Sequence, residues 1–258
     1  MKTAVLVSSF GTSYEEARQN SLDRIFYDLK SAAGYDSGIS FYQAYTSGMI
    51  IRKLETRGIH IDTVEQALDK IVGEGAKRLI VVPTHILAGA EYKKLAGQVA
   101  EYGSQLKQIK ITKAVLEDAW DCVKLAAFLS RTFRFRDDKE YIFMGHGSDS
   151  AANERYNQMN SAFENMGLEN VRIATVEAKP DIDDALSALK SHAGKRPVVL
   201  SPFMVVAGEH VHNDMAGDKD SFASKLRDEG YEVEINMSGL GEYPDYRNIY
   251  VNKLKEIL

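Results

Sequence analysis

Cysteine occurs once in the 258 residues, tryptophan once and proline five times. A single thiol, Cys122, excludes a disulfide framework and any zinc or iron–sulfur site built on several cysteines. No run approaches the roughly 18 consecutive apolar residues that a membrane span needs. The short apolar stretch at the start is interrupted by Ser8, Ser9 and Gly11, so it reads as a first strand rather than a secretory leader. Positive charge is also in deficit, with 32 Lys and Arg against 37 Asp and Glu and a net charge of −5. That balance argues against a general nucleic-acid or anionic-membrane surface. What is present is ordinary: 44% hydrophobic and 27% charged residues, enough for a sizeable core in one large domain or two small ones. The expectation is a cytoplasmic protein with no nucleic-acid or membrane partner, and a homo-oligomer is left open.

Apolar runs rich in Val, Ile and aromatics recur along the chain. They predict strands near 4–10, 39–45, 79–84 and 110–116, then near 141–146, 171–177, 198–203 and 231–237. Helical patterns lie between them. Val64, Ala67, Leu68, Ile71 and Val72 follow the spacing of an amphipathic helix. Another helix is expected to carry Leu116, Trp120, Val123 and Ala127. Ser13-x-x-Glu16 and Thr63-x-x-Gln66 have the spacing of capping boxes. Strand–helix alternation implies an α/β fold with parallel sheets.

The two sets of four strands follow one plan. Residues 75–91 (GAKRLIVVPTHILAGAE) overlie 194–210 (GKRPVVLSPFMVVAGEH) at a constant offset, with Pro83 over Pro202 and Gly89 over Gly208. Near the start of each half, Phe10-Gly11-Thr12-Ser13 overlies His146-Gly147-Ser148-Asp149. The expected architecture is therefore two similar domains, 1–136 and 137–258, each a four-stranded parallel sheet flanked by helices and facing a central cleft, with the last helix able to pack on the first half.

In parallel sheets ligands bind off the carboxyl ends of the strands. In the second half those ends carry His146, Glu177 and His210, whereas the matching places in the first half hold Phe10, the vicinity of Ser47, and Glu91. Two imidazoles and a carboxylate suit a divalent metal with coordination positions left open. His212 lies two residues from His210, and in an extended segment the two would face opposite ways. His85, after Pro83-Thr84, is a candidate on the substrate side. His60 and His192 read as surface residues, and Glu15, Glu16 and Arg18 as a solvated helix face.

With those residues in view, the chain resembles the anaerobic sirohydrochlorin cobalt chelatase family, class II tetrapyrrole chelatases related in fold to ferrochelatase. The resemblance rests on Ser8-Ser9-Phe10-Gly11-Thr12-Ser13, Pro83-Thr84-His85-Ile86, Gly145-His146-Gly147-Ser148, Thr175-Val176-Glu177, residues 207–214 (AGEHVHND) with Met215-Ala216-Gly217, and Gly239-Leu240-Gly241-Glu242. It spans nearly the whole chain. It implies ATP-independent insertion of Co²⁺, with Fe²⁺ or Ni²⁺ as alternatives, into sirohydrochlorin or a related tetrapyrrole in anaerobic cobalamin biosynthesis. No nucleotide is implied; the divalent metal is a substrate. The resemblance also implies His146, Glu177 and His210 as metal ligands, the first two being catalytic.

The macrocycle would meet Phe10, Gly11, Thr12, Ser13, His85, Glu91 and Tyr92. Its carboxylates would meet backbone N–H groups near Thr12, Ser13 and Ser148, or Arg52, Lys53, Lys93 and Lys94. A histidine suits the reaction because a neutral imidazole can hold a metal or accept one of the pyrrole protons that must leave. The competing readings are a non-catalytic tetrapyrrole or metal carrier with a bilobed cleft, and a metal-dependent hydrolase.

Overall fold

The computed structural model describes residues 1–34, 38–192 and 194–258. The chain forms two compact units, Met1–Glu117 together with Gly241–Leu258, and Asp118–Leu240.

Among the described residues, the first unit is built on five parallel strands: β1 (Thr3–Ser9), β2 (Ser40–Tyr45), β3 (Asp62–Thr63), β4 (Arg78–Pro83) and β5 (Gln108–Ile111). Their order across the sheet is β3-β2-β1-β4-β5. The expected count of four is corrected by β3, a two-residue strand that pairs Ala44 and Tyr45 with Asp62 and Thr63. So short a strand leaves no apolar run to read. β1 is central and buried from Ala4 to Ser9, as a strand covered on both faces must be. Thr63 then opens the helix Val64–Gly73 with both halves of a capping box formed alongside Gln66. That helix buries Val64, Ala67, Leu68 and Ile71 in a core shared with Leu6, Leu79 and Val81.

The Ser13 capping box does not form. The turn Glu15–Ala17 is preceded by Tyr14 without a side-chain cap, and Thr12 Oγ1 instead accepts the Tyr14 N–H at 3.2 Å. The helix Pro244–Lys255 belongs to this first unit. Its Tyr250 hydroxyl donates to the Thr84 carbonyl at 2.8 Å, and its Arg247 pairs with Asp28 at 2.6 Å.

The second unit carries β6 (Glu140–Gly145), β7 (Val171–Thr175), β8 (Val198–Pro202) and β9 (Val233–Ile235), all parallel, in the order β7-β6-β8-β9. This repeats the β2-β1-β4-β5 order of the first sheet. The helix Ala119–Phe133 falls in this unit, and its apolar face differs from the expected one. Cys122, Leu125, Ala126, Phe128 and Leu129 are buried, while Trp120 is 64% exposed and Leu116 precedes the helix. Asp118 caps this helix by accepting the Asp121 N–H at 3.0 Å, which starts it later than the apolar spacing suggests.

β7 is an edge strand, and one side chain saturates part of its free backbone. Asn160 Oδ1 accepts the Ile173 N–H at 2.7 Å, and Asn160 Nδ2 donates to the Ile173 carbonyl at 3.1 Å. Asn160→Ala would leave both groups unpaired on a mostly buried strand. It should lower unfolding free energy by about 1–3 kcal/mol, measurable by urea titration; Asn160→Asp, which keeps only the acceptor, should fall between.

Candidate metal centre

His146 directly follows β6, Glu177 lies just past β7, and His210 lies further along the segment that leaves β8. Their candidate ligand atoms all lie within 4.8 Å of one another. Bonds of about 2.0–2.2 Å put two ligands of one ion up to roughly 4 Å apart, so small side-chain rotations suffice to close the set on one ion. His146 Nδ1 is 3.5 Å from Glu177 Oε2 and 3.2 Å from the carbonyl of Gly147. The rings of His146 and His210 meet edge to face, with centroids 4.5 Å apart and planes at 84°. All three side chains remain open to a ligand, being 44%, 56% and 39% exposed in the order His146, Glu177, His210.

Glycine makes this approach possible. Gly147 has φ of +94°, and a Cβ there would lie 2.8 Å from the Ala178 nitrogen and 3.1 Å from the Glu177 nitrogen. Only a residue without a side chain lets the His146 turn lie against the Glu177 turn. The same closeness is seen in the 2.9 Å bond from the Glu177 N–H to the His146 carbonyl. Below them, a Cβ on Gly145 would strike the Tyr156 ring at 2.7 Å. Tyr156 is buried, its hydroxyl lies against the backbone of His146 and Gly147, and burial pushes its pKa up to about 12. It is therefore a neutral floor to the site.

Two supporting residues escape sequence reasoning. Tyr156 is one. The other is Asp214, whose Oδ2 lies 2.7 Å from His210 Nδ1. A carboxylate on one ring nitrogen fixes the tautomer and turns the other nitrogen toward a metal. The expected extended segment is instead a wide helical turn, Val211–Met215, entered from His210; the i, i+4 spacing of His210 and Asp214 is the signal that a helical reading would find. His212 is exposed and stands outside the cluster. Asp214→Ala should weaken Co²⁺ binding by about 10–100-fold, read by calorimetric titration, with the fold retained; unchanged affinity would remove Asp214 from the support of His210.

The first-unit candidates are placed as follows. Phe10 follows β1 and is 47% exposed. Gly11 has φ of +101°, and a Cβ there would lie 2.4 Å from the Tyr45 ring; Thr12 and Ser13 are buried beside it. His85 follows β4, and Glu91 and Tyr92 lie in the first turn of the helix Ala90–Ala100. Arg52, Lys93 and Lys94 are exposed.

Three sequence expectations are corrected. The Ser148 N–H is taken by Asn153 Oδ1 at 3.0 Å, so it is not free for a carboxylate. Arg18 is no solvated residue: it opens a wide turn, Arg18–Leu22, and lies 3.4 Å from Asp23. His192 is three-quarters buried and bonds Glu140 at 2.8 Å.

The family model for cobalt chelatase (CbiK) matches residues 3–258. The chain is 33% identical over 261 residues to a sirohydrochlorin cobaltochelatase of Salmonella typhimurium, covering 100% of this chain and 97% of the relative. It is 27% identical to the sirohydrochlorin cobaltochelatase CbiKC of Nitratidesulfovibrio vulgaris, covering 98% and 89%. Among solved structures, SirB from Bacillus subtilis with Fe³⁺ superposes with a TM-score of 0.67 at 17% identity, covering 99% of this chain and 95% of that one. The sirohydrochlorin chelatase SirB from Bacillus subtilis subspecies spizizenii, in complex with cobalt, gives 0.63 at 16%, with the same coverage. At such identities these structures speak for the fold.

Proposed function

The chain belongs to the cobalt chelatase (CbiK) family, and on that footing we propose that it inserts Co²⁺ into sirohydrochlorin, or a closely related tetrapyrrole, in the cytoplasm and without a nucleotide. The observation that carries this reading is the convergence of His146, Glu177 and His210. Two imidazoles and a carboxylate hold a first-row divalent ion while leaving positions for incoming pyrrole nitrogens. Glu177 offsets one of the ion's two charges. His146, between two glycines, accepts a proton from the macrocycle as the metal enters. Asp214 keeps His210 oriented throughout. Phe10, Gly11, Thr12, Ser13 and Tyr92 are the proposed macrocycle contacts.

The test is a metallation assay on metal-free sirohydrochlorin with Co²⁺, Ni²⁺, Fe²⁺ and Zn²⁺, followed by absorbance. An enzyme accelerates formation of the metallated product in proportion to its own concentration. Tight binding of the macrocycle with no acceleration by any of these metals would make the protein a carrier instead. Affinity alone does not rank these metals in favour of cobalt, so a cobalt preference must be read in the rates.

A further inference from the structure

We propose that Asn153 and Thr175 are positioning residues of the candidate metal centre, holding the loop that carries Glu177 against the loop that carries His146. The inference rests on the reading of His146, Glu177 and His210 as ligands of one ion. Each positioning residue acts on the backbone of a ligand-bearing loop.

The two units show why the Glu177 loop needs holding. Both join the loops that leave their two matching strands by the same pair of backbone bonds. In the first unit the Thr46 and Ser47 N–H groups donate to the carbonyls of Ser9 and Phe10, at 2.9 and 3.3 Å. In the second the Val176 and Glu177 N–H groups donate to those of Gly145 and His146, at 3.1 and 2.9 Å. Glu177 is thus the counterpart of Ser47. Ser47 stands one residue beyond β2 and caps the next helix by accepting the Ile50 N–H. In the second unit residues 176–180 intervene between β7 and the capping residue, Asp181. The longer connection frees position 177 from capping and leaves Glu177 exposed on it. Such a loop has backbone freedom to lose before its carboxylate can meet an ion, unless the protein removes that freedom beforehand.

Three consecutive carbonyls after Glu177 are each held. The Ala178 carbonyl accepts the Thr175 hydroxyl at 2.6 Å. The Lys179 carbonyl accepts Asn153 Nδ2 at 2.6 Å, and the Pro180 carbonyl accepts the Thr175 N–H at 2.7 Å. Asn153 uses its other end on the neighbouring loop, where Oδ1 accepts the Ser148 N–H at 3.0 Å, two residues beyond His146. These partners fix the amide's orientation, because an N–H requires the oxygen and a carbonyl requires the NH₂. One side chain therefore bonds both ligand-bearing loops. Thr175 is buried, and its Oγ1 would lie 3.1 Å from a Cβ at Gly147, so the same hydroxyl also lies against the His146 turn.

The experiment is a calorimetric Co²⁺ titration of the full chain, with no tetrapyrrole present, on wild type, Asn153→Ala, Thr175→Val and Thr175→Ser. Thr175→Val removes the hydroxyl and keeps the branched shape, whereas Thr175→Ser keeps the hydroxyl. Asn153→Ala and Thr175→Val should each weaken Co²⁺ binding about tenfold at unchanged stoichiometry, and Thr175→Ser should stay within about threefold of wild type. A residue that serves folding alone gives another result: fewer equivalents bound, with the affinity of the folded remainder unchanged. Asn153 is only half-buried, so its variant decides the matter even if Thr175→Val fails to fold. The proposal is overturned if Asn153→Ala binds Co²⁺ as wild type does, if only stoichiometry falls, or if Thr175→Ser loses as much affinity as Thr175→Val. Unchanged affinities in a protein that inserts metal would sink this inference alone. Affinities that fall as expected in a protein that inserts none would overturn the chelatase reading and leave this one standing.

Discussion

His146→Ala should abolish metal insertion at every Co²⁺ concentration, whereas His210→Ala should recover part of its rate as Co²⁺ is raised. A lost ligand weakens binding, and mass action can compensate. A lost base cannot be replaced that way, and general-base catalysis contributes about 10²–10⁴-fold. His146 is the candidate base because it is flanked by Gly145 and Gly147, where a planar ligand can come close. Its Nδ1 also lies 3.5 Å from Glu177 Oε2, so a proton taken by the ring is at once beside a carboxylate. His210 differs in having its Nδ1 already committed to Asp214 at 2.7 Å, which suits a pure ligand. The measurement is initial insertion rate against Co²⁺ concentration for both variants. Equal rescue of the two would make His146 a ligand only and move the search for the base to Glu177.

The second large effect concerns stability. Glu140 opens β6 at the end of the sheet away from the candidate metal cluster and is 2% exposed. Three cationic or ionisable partners surround it: His192 Nδ1 at 2.8 Å, Arg172 at 3.3 Å and Arg196 at 3.4 Å. Burial lowers the Arg172 pKa and the Glu140 charge opposes that shift, so the guanidinium depends on this carboxylate for compensation. Glu140→Ala leaves a buried cation unpaired and should destabilise the unit by about 3–5 kcal/mol. The thermal midpoint should then fall by on the order of 10 °C, followed by circular dichroism. Glu140→Gln should destabilise less, because it keeps acceptor geometry. At temperatures where the variant stays folded, insertion rate should match wild type. A midpoint within a degree or two of wild type would mean that water replaces the carboxylate and that the network contributes little.

These two predictions differ in how far the sequence foreshadows them. Strands β1, β4, β6 and β8 are legible because each is a largely apolar run buried along nearly its whole length, and the residue that follows such a run is a strand-end residue by construction. His146 is picked in this way, Glu177 as the carboxylate just past β7, and His210 through its alignment with Glu91 in the repeat. Their convergence within 4.8 Å is not legible, because it depends on β7, β6 and β8 being neighbours in that order. Glu140 gives no local sign of its burial: its partners lie 32, 52 and 56 residues away. Tyr156 is hidden for the same reason, since only packing brings a helix residue under Gly145. Trp120 misleads in the opposite sense, as a large aromatic at helical spacing that turns out to face solvent. β3 is missed because two residues, one of them an aspartate, make no pattern.

The path of the backbone imposes an order on how the molecule can be completed. The second unit is one uninterrupted stretch, Asp118–Leu240, whereas the first is split between Met1–Glu117 and Gly241–Leu258. On the ribosome, all of the second unit is synthesised before Tyr250 exists to bond Thr84, or Arg247 to pair with Asp28. Domains generally fold as units, and N-terminal ones first during synthesis. Here the N-terminal strands must wait, lacking one of their helices, while the segment inserted between the two pieces has everything it needs. The half holding the candidate metal triad is thus free to mature ahead of the half translated first.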